Sequence, residues 1–159
     1  MTEPKHQVEE IAELAGRLDL TIGVAESLTS GQIAARLGAG PEAAQWFRGG
    51  LVAYAAAVKF QVLGVDRGPV VTAACARQMA AGVASLLGAE ATVAATGVGG
   101  PEPDEGEPPG TVYLAAQVRG RHRDLRLDLD GEPEVVLDQT VDAALDLLLE
   151  LVRAETHAA

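Results

Sequence analysis

The stretch Val24-Ala25-Glu26-Ser27-Leu28-Thr29-Ser30-Gly31 decides how the rest of the chain is read. A short apolar run stops at a hydroxyl-rich turn, and a helix-forming segment follows. Strand, turn and helix in that order are the repeating unit of α/β folds. A serine in such a turn sits beside a helix N-terminus, where backbone N–H groups and the positive end of the helix dipole favour polar or anionic atoms. Two readings of Ser27 are open. It can be an ordinary helix cap, a place where Ser and Thr are common, or the nucleophile of a catalytic elbow.

Periodicity and breakers extend the pattern in both directions. Upstream, Val8, Ile11, Leu14 and Leu18 fall on one helix face, and Leu20 to Ala25 reads as a short buried strand. Downstream, a helix from about Thr29 to Leu37 ends at Gly38, Gly40 and Pro41. Trp46-Phe47 and Gly49 to Tyr54 predict a second strand entered through a glycine pair. A short helix over Val58 to Leu63 follows, then a long Ala-rich helix from Thr72 to Leu87, stopped by Gly88. Ala91 to Thr96 reads as a central strand. Thr111 to Val118 and Arg123 to Leu129 predict an edge hairpin around Arg119-Gly120-Arg121. The last helix is expected over Glu134 to Arg153. Gly97 to Gly110, with four prolines and four carboxylates, is a long surface loop.

A chain of 159 residues with 48% hydrophobic content can bury one good core, and no composition shift marks a second. The expectation is a single domain over 1–159. Aromatics make up only 3%, so tight packing of small aliphatic side chains between helices and sheet is favoured. The predicted architecture is a three-layer α/β/α sandwich with a mixed central sheet. A net charge of -11 repels phosphate backbones, and no Lys/Arg cluster with interleaved aromatics occurs, which argues against direct nucleic-acid binding. No apolar run reaches the ~18 residues of a membrane span, and the N-terminus lacks signal-peptide character, so a cytoplasmic location with no membrane contact is expected. The single cysteine, Cys75, reads as a small apolar filler of a helix.

His6, His122 and His157 fall in the first helix, the hairpin turn and the C-terminal tail, away from every motif, so a serine–histidine triad is disfavoured. A serine can instead be activated by a lysine whose pKa is lowered by burial, with a tyrosine relaying the proton. Tyr54 and Lys59, five residues apart, could converge on the end of the sheet where Ser27 lies. The bland alternative leaves Tyr54 as a half-buried strand residue and Lys59 as a solvated surface charge. Gly97-Val98-Gly99-Gly100-Pro101 lacks the third glycine of a dinucleotide fingerprint and runs into prolines where that motif needs a helix. Its backbone N–H groups could still face an anion or an oxyanion, most naturally at Thr96-Gly97. Glu102, Asp104, Glu105 and Glu107 read as solvated acidic loop rather than metal ligands.

These blocks together resemble the C-terminal domain of the competence/damage-inducible protein CinA. The resemblance covers nearly the whole chain. It rests on Ala25-Glu26-Ser27-Leu28-Thr29-Ser30-Gly31, on Phe47-Arg48-Gly49-Gly50-Leu51-Val52-Ala53-Tyr54 with Lys59 and Leu63-Gly64-Val65, and on Met79-Ala80-Ala81-Gly82. Thr96-Gly97-Val98-Gly99-Gly100-Pro101 and Pro109-Gly110-Thr111-Val112-Tyr113 complete it. The resemblance implies a stand-alone domain that hydrolyses the carboxamide of nicotinamide mononucleotide, releasing ammonia. It implies Ser27 as nucleophile, Lys59 with Tyr54 as base, and no metal or cofactor. Glu26, Thr29, Ser30, Gly31, Gly49, Gly50, Thr96 and Gly97 are the expected substrate-binding positions. A homo-oligomer is compatible with it.

The departures from that family pattern are specific. An asparagine usual two residues after the tyrosine is Ala56 here, and the next position, often acidic, is Ala57. A Gly-Asp-Arg motif before the last helix, with another arginine four residues on, is replaced by Gly131-Glu132-Pro133 and Leu137. Ser30 and Gly99 stand where glycine and alanine are favoured. Loss of two arginines removes bidentate, charge-assisted phosphate contacts. A second expectation therefore stands beside the first: a diverged domain that keeps a ligand pocket without the deamidase activity.

Overall fold

A computed structural model describes residues 4–158 and arranges them as six helices and five strands in one mixed sheet. The order along the chain is α1 (Pro4–Leu18), β1 (Ile22–Glu26), α2 (Gln32–Gly38), α3 (Ala43–Trp46), β2 (Phe47–Val52), α4 (Ala56–Leu63), α5 (Ala73–Leu87), β3 (Ala91–Gly97), β4 (Thr111–Val118), β5 (Arg121–Asp128) and α6 (Pro133–Ala158). The sheet order is β2-β1-β3-β4-β5. β1 pairs in parallel with β2 and β3, whereas β3, β4 and β5 are antiparallel.

One sheet face carries α1, α2 and α6, whose Ile11, Ile33, Leu37, Leu145 and Leu148 join Ile22, Val24, Val93 and Leu114 in the larger core cluster. The other carries α4 and α5, where Ala76, Met79, Ala80 and Val83 lie on Ala25, Ala94 and Ala115. Alanines on both sides of that second interface let helix and sheet approach closely, as the composition predicts. The three-layer sandwich is therefore as expected.

Several boundaries move. The helix expected from Thr29 begins at Gln32, because Ser30 (φ 50) and Gly31 (φ 100) both adopt left-handed backbone to turn the chain out of β1. Trp46 closes the single turn of α3 rather than opening β2, and its indole N–H donates to the Pro41 carbonyl at 2.9 Å. Arg119 (φ 45) and Gly120 (φ 91) alone form the hairpin turn, so β5 starts at Arg121 and takes in His122. The last helix runs on to Ala158 and includes His157. Periodicity also missed a polar seam. Gln7, fully buried on α1, donates to the Asp142 carbonyl at 3.0 Å and to the Asp146 carboxylate, joining α1 to α6.

The connections position the site. From β1 the chain turns toward β2, and from β3 it turns the other way, toward β4. The carboxyl ends of β1 and β3 therefore flank a crevice at the point where the direction of winding reverses, the usual ligand position in open α/β sheets.

Candidate active site

Ser27 is the first residue after β1. Its N–H donates to the Ala95 carbonyl at 3.1 Å, which extends the β1–β3 ladder by one bond and fixes the start of the turn. Lys59 is on α4, on the opposite face of the sheet, and is only 1% exposed. Its Nζ donates to Ser27 Oγ at 2.9 Å and to the Tyr54 carbonyl at 3.0 Å. The solvated-lysine alternative is thereby removed.

Burial lowers the Lys59 pKa from its ordinary value near 10.5, opposed by the nearby carboxylates of Glu105 and Asp104 and, only where its thiol ionises, by Cys75. A desolvated amine gives up its proton more readily. Cys75 lies on the same side, and burial pushes its thiol up to about 11, so it remains a neutral filler. Arginine could not replace Lys59, since a guanidinium is never deprotonated in proteins. That contrast is a signal the sequence offers: the chain has ten arginines but only two lysines, Lys5 and Lys59.

Ser27 opens onto a cleft of about 360 Å³. Leu28 and Tyr54 form one side, Gly97 to Gly100 a second, Glu102 to Asp104 a third, and Pro133 and Leu137 of α6 close it. Among the described residues no histidine lines it. Lys59 stands behind Ser27, on the interior side, and does not line it either. Among the described residues no group of three His, Cys, Asp or Glu is placed to hold a metal ion.

The remaining predicted positions separate into two sets. Tyr54 reaches the cleft, but its side chain is 68% exposed, and it is the Tyr54 carbonyl, not the phenol, that contacts Lys59. Gly97 lies in the cleft wall and must be glycine for a steric reason. A Cβ there would come within 2.5 Å of the Thr111 carbonyl across the β3–β4 pair. Thr96 is turned away from the cleft, and its hydroxyl donates to the Val70 carbonyl at 2.9 Å. Gly49 and Gly50 pair with Gly23 and Val24 in the body of the edge strand β2, well back from Ser27, and do not join the site.

Glu26 does not face the cleft. It is 1% exposed, and its two carboxylate oxygens accept the N–H groups of Ile33 and Ala34, each at 2.9 Å. The anion expected at the start of α2 is thus supplied by the chain itself, and that helix end has no room for a substrate phosphate. Ser30 is exposed and its hydroxyl faces the carbonyls of Ser27 and Leu28. Thr29 is fully buried, and its hydroxyl has no partner among the described residues.

The acidic loop corrects the expectation of a merely solvated segment. Asp104 and Glu107 exchange backbone hydrogen bonds at 3.1 and 2.8 Å around Glu105 (φ 51) and Gly106 (φ 77), a tight two-residue hairpin turn. That turn presents the Glu105 carboxylate to the N–H groups of Val70 (2.9 Å) and Val71 (2.8 Å), clasping the loop to the segment before α5. The Asp-Glu-Gly-Glu spelling, with glycine in the second turn position, was the legible signal for the turn, though not for the clasp.

Residues 5–152 match the sequence profile of the CinA C-terminal domain. The chain belongs to the CinA C-terminal domain family. It is 42% identical over 142 residues to a competence-damage inducible protein of Geobacillus kaustophilus, a match that covers 85% of this chain and 34% of that protein. The chain spans about a third of the length of the curated relatives it matches. Among solved structures, a CinA superfamily protein from Escherichia coli superposes with a TM-score of 0.90 at 29% identity, covering 94% of this chain and 90% of that one. The competence damage-inducible protein A from Klebsiella pneumoniae gives 0.89 at 32% identity, with 94% and 96% covered. No helix of this CinA domain, among the described residues, is long and apolar enough to cross a membrane.

Proposed function

We propose that this CinA domain is an amidohydrolase that removes ammonia from a primary carboxamide on a pyridine nucleotide, with nicotinamide mononucleotide as the reference substrate. The observation that carries the reading is the 2.9 Å contact between a buried, pKa-depressed Lys59 and Ser27 Oγ at the floor of a cleft. A neutral amine there takes the Ser27 proton as Oγ attacks the carboxamide carbon. The oxyanion faces backbone N–H groups at the cleft wall. Those of Leu28 and Gly99 make no hydrogen bond among the described residues, whereas that of Ser27 is committed to Ala95.

Lys59 then returns the proton to the leaving nitrogen, the C–N bond breaks and ammonia departs. Water repeats the sequence on the Ser27 ester, yielding the carboxylic acid and restoring the hydroxyl. Tyr54 acts twice in this scheme: its carbonyl orients the amine, and its phenol, at the rim, meets the substrate. Cytoplasmic residence belongs to the same reading, as does self-association, which size-exclusion chromatography with light scattering would test.

The test is ammonia release from nicotinamide mononucleotide by the purified domain, with Ser27→Ala as control. Turnover that disappears in the variant supports the reading, and turnover that survives in it excludes Ser27 as nucleophile. A second reading, a binding domain without turnover, is favoured by the exposure of Tyr54, whose carbonyl rather than phenol contacts the amine, and by Ala56 and Leu137 at positions where polar contacts were expected. Ligand-induced stabilisation without ammonia release would select it.

A further inference from the structure

The walls of the Ser27 cleft are electrostatically one-sided. Glu102 and Asp104, two acidic residues, stand in the lining, Leu28, Pro133 and Leu137 supply apolar surface, and among the described residues no Lys, Arg or His takes part. The one amine nearby, Lys59, must be neutral to act. The α2 N–H groups that could have held an anion are occupied by Glu26. Arg126, the cation that reaches the acidic loop, is already engaged with Glu107 at 3.6 Å, Asp128 at 3.0 Å and the Tyr113 hydroxyl at 3.1 Å.

From this lining we infer that the site selects a carboxamide on a cationic ring that carries no phosphate: a pyridinium nucleoside rather than a nucleotide. The inference rests on the amidohydrolase reading and narrows its substrate class. The mononucleotide joins a pyridinium cation to a phosphate dianion at neutral pH, and removing the phosphate leaves a net cation. In a cleft bearing two carboxylates and no counter-cation, the dianion is repelled and the ring cation attracted, while the apolar wall accepts the flat ring face. The chemistry is unchanged and balanced: carboxamide plus water gives carboxylate plus ammonium.

The experiment measures kcat/KM for nicotinamide riboside and nicotinamide mononucleotide with the wild-type chain and with Glu102→Gln/Asp104→Asn, alongside thermal shifts with each compound. The expected result is a preference for the nucleoside on the order of tenfold, falling at high salt and in the double variant. Preference for the mononucleotide in the wild type would overturn the inference and leave the amidohydrolase standing. No turnover of either compound would overturn the amidohydrolase, and the thermal shifts then decide the inference. Stabilisation by the nucleoside alone upholds charge selection, and equal or greater stabilisation by the mononucleotide ends it.

Discussion

In the proposed amidohydrolase, Ser27 and Lys59 divide one task between two faces of a sheet. The serine stands at the surface of the cleft and the amine lies beneath it, so their effects on activity and on stability can be separated. Ser27→Ala removes one hydrogen bond, worth about 1 kcal/mol, and should abolish turnover while shifting Tm only slightly. Fluorimetric melting beside an ammonia assay would check it; the cap reading of Ser27 is already closed, since α2 is capped at Gly31 and Ser27 Oγ accepts from Lys59, so a large loss of stability would make the Ser27–Lys59 contact chiefly structural. Lys59→Met should also abolish turnover.

The stability of Lys59→Met carries a pH signature. Because the folded state lowers the Lys59 pKa, the unfolded chain binds more protons between the folded value and the ordinary value near 10.5. Wild-type stability should therefore rise with pH in that window relative to the variant. Urea titrations at several pH values from neutral to about 10 would show it, and parallel curves would mean that the amine is not depressed.

At the scale of elements, the strands and helices were largely legible in the sequence because their periodicities are strong. Thr111–Val118 and the stop of α5 at Gly88 fall where the spacing and glycines put them. The start of α2 was not legible, because a left-handed Ser30 followed by Gly31 gives no periodic signal. Pairing of Ser27 with Lys59 was legible as a possibility of chemistry. The clasp by Glu105 and the diversion of Glu26 to α2 are long-range choices of hydrogen-bond partner, invisible to local pattern.

The clasp predicts a change in pH profile. Glu105 and Asp104 favour the charged Lys59, against the effect of burial. Glu105→Gln keeps an oxygen for the Val70 and Val71 amides but removes the charge, so the Lys59 pKa falls further. The acidic limb of the kcat/KM profile should move to lower pH, a shift that simple loosening of the loop would not produce. Another element-level test is Gly97→Ala, where the added methyl meets the Thr111 carbonyl. Overpacking of that kind costs roughly 1–3 kcal/mol, seen as a fall of several degrees in Tm.

Across the whole molecule, a net charge of -11 surrounds a cleft that is itself acidic. Encounter with an anionic substrate is opposed by the long-range field as well as by the walls. Raising salt from about 20 to 200 mM, which shortens the screening length from roughly 20 Å to 7 Å, should increase kcat/KM for an anionic amide and decrease it for a cationic one. A salt-independent rate for both would show that the field does not reach the reacting complex.

The placement of Lys59 behind Ser27 also governs which reagents can find it. An amine whose pKa is lowered is ordinarily among the first groups on a protein to condense with aldehydes, yet the hydroxyl of Ser27, the Tyr54 carbonyl and the packed base of α4 leave this one no open approach. Formaldehyde with a borohydride reductant should leave Lys59 unmethylated in the folded protein and methylate it after urea unfolding, as peptide mass mapping would read directly. On the proposed reading the fold keeps the amine beside the serine while hiding it from the carbonyl compounds of its surroundings, and chemical selectivity becomes a property of burial depth.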